Sequence, residues 1–76
     1  MAKLPICSGD EAIKAFMKAG WLYGRTRGSH VTLYKPMNPV VLTIPRHDVL
    51  DRGLLRDQIR KAGMTMDRFV GLLKSL

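Results

Sequence analysis

The stretch "WLYGRTRGSHVTLYKPMNPVVLTI", residues 21–44, decides the fold class of this chain. Apolar and polar residues alternate along it with a period of two, which is typical of β-strands with one buried face. Two groups of turn-forming residues, "RGS" and "KPMNP", interrupt the alternation. The stretch therefore predicts three short strands in an antiparallel meander, at residues 21–26, 30–35 and 40–44. Pro45 lacks the N–H that a ladder needs, so we expect the sheet to end there.

A helical pattern precedes the predicted sheet. "SGDE" at residues 8–11 is a capping box, in which the serine hydroxyl and the glutamate side chain each satisfy a free backbone N–H. Apolar residues then recur at three- and four-residue spacing as far as Gly20, which suits the left-handed position that closes a helix. We therefore expect a first helix over residues 9–19.

Two more helices are expected after the sheet. Asp51 is a good N-cap for a helix over residues 52–62, and Thr65 can cap a final short helix over residues 66–74. With the first helix and the sheet, this predicts an α+β fold of helix, three-stranded antiparallel sheet, helix and short C-terminal helix. We expect residues 1–76 to form a single domain, because a chain of 76 residues supports only one core.

The charge balance points to a negatively charged partner. Thirteen Lys and Arg residues against six Asp and Glu give a net charge of +7, which favours a nucleic acid or an acidic protein. No apolar run approaches the roughly 20 residues that span a bilayer, and the basic residues are spread over several segments, so no membrane partner is expected. A single cysteine and the lack of a secretory signal favour the reducing cytoplasm.

His30 is the candidate catalytic residue. Strand alternation puts Val31 and Leu33 on one face and His30 on the other, away from the core. By its position alone, such a histidine is about as often an ordinary surface residue as a catalytic one. The neighbouring residues must therefore decide between these two interpretations. Histidine as a residue type titrates near pH ~6.5, and it can therefore exchange a proton with the 2′-hydroxyl of RNA at neutral pH.

Basic and small residues around His30 are candidates for RNA binding. Arg25, Arg27 and Lys35 carry positive charge on both sides of it. Gly28 allows close backbone approach and Ser29 offers a hydroxyl and an N–H to a phosphate oxygen, although the pair is also an ordinary turn sequence.

The second predicted helix supplies another basic element. Arginines at four-residue spacing (Arg52, Arg56 and Arg60) form a stripe about 100° around the helix from its apolar face. Such stripes are commonly just solvated surface, but this one contains no acid. We therefore expect Arg56 and Arg60 to contact phosphate.

Other kinds of site find little support. Two histidines 17 residues apart and one distant cysteine match no zinc spacing, so neither a metal nor another cofactor is expected. Cys7 is expected to be a small buried residue ahead of the first helix. His47, in "IPRHDV", is a possible second acid or base, with a hydrogen-bonded surface histidine as the alternative.

Four segments, "KLPICSGDEAIKAFMKAGW", "RTRGSH", "LTIPRH" and "RGLLRDQIRKAGMT", resemble in this order the HicA-type toxins, which are mRNA interferases of toxin–antitoxin pairs. The resemblance covers nearly the whole chain. It implies a fold like the double-stranded-RNA-binding domain, metal-independent cleavage of RNA and neutralisation by a HicB-type antitoxin. It also implies that the histidine of the Gly-Ser-His turn, which is His30, is catalytic.

Three hypotheses follow. The leading one is an endoribonuclease toxin that cleaves mRNA with His30. The second is a non-catalytic RNA-binding module that uses the same basic surface. The third is a subunit of a complex whose positive charge meets an acidic protein.

Overall fold

The computed structural model describes residues 3–76, and its elements follow the predicted order. They are α1 (Gly9–Lys18), β1 (Leu22–Arg27), β2 (His30–Tyr34), β3 (Val41–Pro45), α2 (Arg52–Lys61) and α3 (Met66–Lys74). The strands form one antiparallel sheet in the order β1-β2-β3. The predicted α+β arrangement is therefore confirmed. Within residues 3–76, no helix has the length and apolar character needed to cross a membrane.

Each helix begins at the cap that the sequence predicts. The Ser8 hydroxyl accepts the Glu11 N–H at 3.1 Å, and the Glu11 carboxylate accepts the Ser8 N–H at 2.9 Å, which completes the capping box. Asp51 accepts the Leu54 N–H at 3.0 Å at the start of α2, and Thr65 caps α3 in the same way. Local sequence is therefore sufficient to fix where these helices begin.

The end of α1 shows why β1 begins one residue later than predicted. Gly20 has φ +100°, and its N–H donates to the Met17 carbonyl at 3.0 Å, while the Trp21 N–H donates to the Phe16 carbonyl at 3.1 Å. These two bonds form a Schellman motif, which uses the Trp21 N–H to close the helix. The first strand therefore runs over Leu22–Arg27 rather than residues 21–26. The starts of α1, β2 and α2 and both ends of α3 are as predicted, whereas the ends of α1, β2 and α2 and both ends of β3 differ by one residue.

The core lies between the helices and one face of the sheet. Phe16 of α1 and Phe69 of α3 are fully buried, with ring centroids 5.0 Å apart. Val31 and Leu33 of β2 are also fully buried, which confirms the predicted alternation of that strand. Cys7 is 4% exposed, as expected, and burial together with the nearby Glu11 carboxylate raises the pKa of its thiol.

The two edges of the sheet differ. At the β3 edge, the buried Gln58 of α2 accepts the Thr43 N–H at 3.0 Å, so a helix covers part of this edge. At the other edge, every residue of β1 is exposed. The helices therefore pack beneath β2 and β3, and β1 extends beyond them.

Candidate active site

The register of the sheet defines an outer sheet face, which points away from the helices. Across the strands it carries three rows of side chains. These are the His30 row (Arg27 and His30, with the buried Pro45 as the partner on β3), the middle row (Arg25, Thr32 and Thr43) and the apolar row (Leu22, Tyr34 and Val41). Residues paired directly across antiparallel strands share a face, with Cβ atoms about 4.5–5.5 Å apart. The outer sheet face therefore brings His30 together with Arg25 and Arg27.

A β-bulge at Gly24 places these two arginines beside His30. In a regular strand Tyr23, Arg25 and Arg27 would all project to one face. Here the register shifts between Tyr23 and Arg25, so Tyr23 pairs with Leu33 on the helix side while Arg25 and Arg27 lie on the outer sheet face.

Glycine at position 24 lets the bulge form. A Cβ added there would lie 2.9 Å from both the carbonyl oxygen and the hydroxyl of Thr32. The Thr32 hydroxyl accepts the Arg25 N–H and donates to the Arg25 carbonyl, each at 3.2 Å. These two bonds hold the bulged strand against β2.

A two-residue turn sets the position of His30 itself. Gly28 has φ +60° and Ser29 does not have a positive φ, which matches a type II′ hairpin turn. Arg27 and His30 are the pair that flanks this turn. Both side chains are exposed, and within residues 3–76 the Arg27 guanidinium has no carboxylate partner. A histidine and a free positive charge therefore lie side by side on an open surface.

The loop that follows β3 is tied to the same turn. The Arg46 N–H donates to the Ser29 carbonyl at 2.7 Å, and the next carbonyl, that of His47, accepts the Gly9 N–H at 2.8 Å. Arg46 also pairs with Asp10 of α1, with Nε 2.8 Å from Oδ1. Its hydrogen bond holds the pKa of the Asp10 carboxyl below the usual range. The exposed His47 is thus on a segment anchored both to the Gly-Ser-His turn and to α1.

Lys35 lies apart from this group. It follows Tyr34 and points to the helix side of the sheet, where its Nζ is 5.2 Å from the centroid of the buried Trp21 ring. The structure therefore does not bring Lys35 onto the outer sheet face.

Arg56 and Arg60 are also on a different surface. Both are exposed on α2, as the stripe predicts. Arg56 lies two residues from Gln58, or about 200° around the helix, and so points away from the β3 edge that Gln58 contacts. The arginine stripe belongs to the helix layer and forms a second basic surface.

Several contributors to the site have no strong signal in the sequence. Gly24 within a strand was the one hint of a bulge. The contacts of Arg46 with Ser29 and Asp10 join distant parts of the chain, so no local motif marks them. Within residues 3–76, no group of three or more His, Cys, Asp or Glu side chains is placed to hold a metal ion.

One protein-family model matches most of the chain. It describes the HicA toxin of bacterial toxin–antitoxin systems and matches residues 9–64, from the start of α1 to just beyond α2. A comparison of the sequence with curated proteins found no match. The matched segment contains the Gly-Ser-His turn and the loop with His47. The resemblance noted in the sequence is thereby confirmed, and the protein belongs to the HicA family, the toxins that pair with an antitoxin.

Proposed function

We propose that this toxin is an endoribonuclease, an mRNA interferase that cleaves RNA without a metal and uses His30 as its proton-transfer group. The observation that carries the proposal is the Arg27–His30 pair, exposed and directly opposed on the outer sheet face. An imidazole beside an unpaired guanidinium provides the two functions that RNA transesterification needs, which are proton transfer and neutralisation of phosphate.

The proposed reaction uses the ribose next to the scissile phosphate. His30 takes the proton of the 2′-hydroxyl, the 2′ oxygen forms a bond to phosphorus, and the bond from phosphorus to the 5′ oxygen breaks. The leaving 5′ oxygen then takes a proton from a second acid, for which His47 is the candidate. Arg27 stabilises the charge on the phosphate, and the Ser29 hydroxyl and the Gly28 backbone shape the approach to it.

The other predicted RNA contacts are assigned by where each residue lies relative to the Arg27–His30 pair. Arg25, in the middle row, contacts the phosphate backbone beside the reacting group. We assign more distant RNA contacts to the basic residues that do not lie on the outer sheet face, which are Lys35, Arg56 and Arg60. We further propose that the antitoxin is of the HicB type and acidic, and that it covers the His30 row, since an open site is blocked only by excluding RNA from it.

Incubating the purified protein with a single-stranded RNA in the presence of a chelator tests the proposal. Cleavage supports it, whereas a shifted but intact RNA supports the non-catalytic RNA-binding module. His30→Ala should reduce the cleavage rate by about 10²- to 10⁴-fold, the usual effect of losing a general acid or base. Because His30 is exposed, stability should change by no more than about 0.5 kcal/mol.

His47→Ala is the matched control, since it also removes an exposed imidazole. An equal loss of rate in both variants would identify an acid–base pair. A folded His30→Ala protein that cleaves RNA at the wild-type rate would refute the proposal.

The salt dependence of RNA binding tests the two basic surfaces separately. Each phosphate contact contributes about 0.9 to the slope of log affinity against log salt for duplex DNA and about 0.7 for single strands. The double variant Arg25→Ala/Arg27→Ala should therefore flatten the slope by about 1.4. Arg56→Ala/Arg60→Ala should also flatten the slope, by up to about the same amount, and an unchanged slope would show that RNA does not reach the helix layer.

A further inference from the structure

The apolar row at the far end of the outer sheet face is unexplained by the proton-transfer site. Leu22, Tyr34 and Val41 are directly paired across the three strands and are 42%, 43% and 48% exposed. Tyr34 is the central member of the row and, within residues 3–76, the one aromatic residue on this face. Its ring therefore has an aliphatic neighbour on each side and solvent above.

We propose that the apolar row is a nucleobase subsite, in which one base of the RNA stacks on the ring of Tyr34 while Leu22 and Val41 flank it. The inference rests on the proposed function, because it places the rest of the RNA substrate relative to His30. Sequence-tolerant recognition of single strands commonly uses bases stacked on aromatic side chains of an open sheet.

The position of the row relative to His30 fits a continuous RNA strand. Tyr34 is four residues from His30 along β2, which corresponds to about 13 Å in an extended strand. Arg25 lies in the middle row between the two and offers positive charge to the intervening phosphates. RNA whose reacting phosphate is at His30 can thus run along β2 and place a base on Tyr34.

The size of the row also favours a base over a protein. Stable protein interfaces bury about 800 Å² on each partner and involve about 20–30 residues a side. The apolar row has only three half-exposed side chains, bordered on one side by the polar Arg25, Thr32 and Thr43 and on the other by the loop of residues 35–40 with the exposed Met37, which is far fewer than such an interface needs. They do match the footprint of a single planar base.

Binding measurements in a His30→Ala background test the subsite without cleavage of the RNA. Fluorescence anisotropy with a short labelled single-stranded RNA should show binding weakened roughly 5- to 150-fold by Tyr34→Ala, the usual effect of removing one base–aromatic stack. Tyr34→Phe keeps the ring and should retain the affinity. Tyr34→Leu keeps apolar surface without the ring and should behave like Tyr34→Ala.

Tyr23 provides the matched control. It is a tyrosine of similar exposure, 46%, but it lies on the helix side of the sheet. Tyr23→Leu should therefore leave RNA affinity unchanged. Circular dichroism of each variant establishes that it is folded before its affinity is compared.

Single abasic substitutions along the RNA provide a second, independent readout. At one position, removal of the base should weaken RNA binding by the parent protein. The same removal should not change the affinity of the Tyr34→Ala variant, because the two groups that contact each other are then both affected by a single loss. The inference is wrong if Tyr34→Leu binds like the parent, or if no abasic position couples to Tyr34. It is also wrong if Tyr34→Ala weakens only the complex with the cognate antitoxin.

The outcomes separate this inference from the function on which it rests. If the wild-type protein does not cleave RNA and the His30→Ala parent does not bind it, both are refuted. If the wild-type protein cleaves RNA and the Tyr34 variants bind as well as the parent, the nucleobase subsite alone is refuted.

Discussion

Replacing Gly9 with alanine tests how closely the loop that carries His47 is held against α1. Gly9 is the first residue of α1, directly after the Ser8 cap. A Cβ added at this position would lie 2.0 Å from the Pro45 carbonyl oxygen and 2.8 Å from the Arg46 Cα. Both are backbone atoms, so no side-chain rotation relieves the overlap.

The size of the effect follows from the distances. Ordinary contact of a Cβ begins at 3.4 Å, so the Pro45 carbonyl must withdraw by about 1.4 Å. That movement breaks the 2.8 Å bond from the Gly9 N–H to the His47 carbonyl and disturbs the 2.7 Å bond from Arg46 to Ser29. Overpacking typically costs about 1–3 kcal/mol and each lost hydrogen bond about 0.5–1.5 kcal/mol. We expect Gly9→Ala to lose about 2–4 kcal/mol of the roughly 4–11 kcal/mol that a chain of this length has.

Urea denaturation of Gly9→Ala and Gly71→Ala provides the comparison. Gly71 lies within α3, and a Cβ added there meets nothing within 4 Å. The same chemical change should therefore stabilise the protein at position 71 by about 0.5–1 kcal/mol, because alanine is the better helix former. At a temperature where Gly9→Ala remains folded, we also expect its cleavage rate to fall, since the displaced loop is bonded to the Gly-Ser-His turn.

Equal effects at the two glycines would refute this reasoning. If Gly9→Ala were as stable as the wild type, the loop would not be packed against α1 as described. If it were destabilised but cleaved at the wild-type rate while folded, the loop would have no part in positioning the site.

Three further predictions concern the contacts around the site. Gly24→Ala places a Cβ 2.9 Å from the Thr32 carbonyl and should lower stability by about 1–2 kcal/mol in urea denaturation. The raised pKa of the Cys7 thiol stabilises the fold below the unfolded pKa, about 8.5. That contribution is lost as the pH rises through the pKa of the thiol in the folded protein. The wild type should therefore lose more stability than Cys7→Ala between pH 8 and pH 10. Asp10→Asn removes an exposed ion pair with Arg46 and should lower the thermal midpoint at pH 7 only slightly, because solvent screens an exposed pair. Because the pKa of the Asp10 carboxyl is lowered in the folded protein, the ion pair stabilises the fold above the unfolded pKa of about 3.9. This stabilisation is lost as the pH falls through the pKa in the folded protein.

Features that depend on neighbouring residues were predictable from the sequence. The caps at Ser8, Asp51 and Thr65 each involve bonds to a residue three positions later, so a local motif contains the whole interaction. The outward direction of His30 likewise follows from the buried residues that alternate with it on β2. Short-range periodicity therefore predicted the helices and the face that carries the histidine.

Features that depend on contacts between distant residues were not predictable in the same way. The exposure of β1 reflects where the helices pack, which no pattern within the strand records. Its bulge needed the close approach of Gly24 to Thr32, and the sequence alone shows a glycine without its neighbour. In the sequence, Lys35 belongs with the basic residues that flank His30. Strand alternation and the contact with the Trp21 ring nevertheless place its ammonium on the other side of the sheet.

The bulge also explains how one hairpin serves both packing and the candidate site. Tyr23 must point towards the helix side to pair with Leu33, while Arg27 must point outwards to pair with His30. These residues are four positions apart, and in a regular strand such an even spacing would put both side chains on one face. One extra residue at Gly24 changes the spacing, so that an aromatic ring can lie on the helix side while the guanidiniums face solvent. The hairpin therefore gathers positive charge around His30 without burying any of it, which is what the proposed contact with RNA requires.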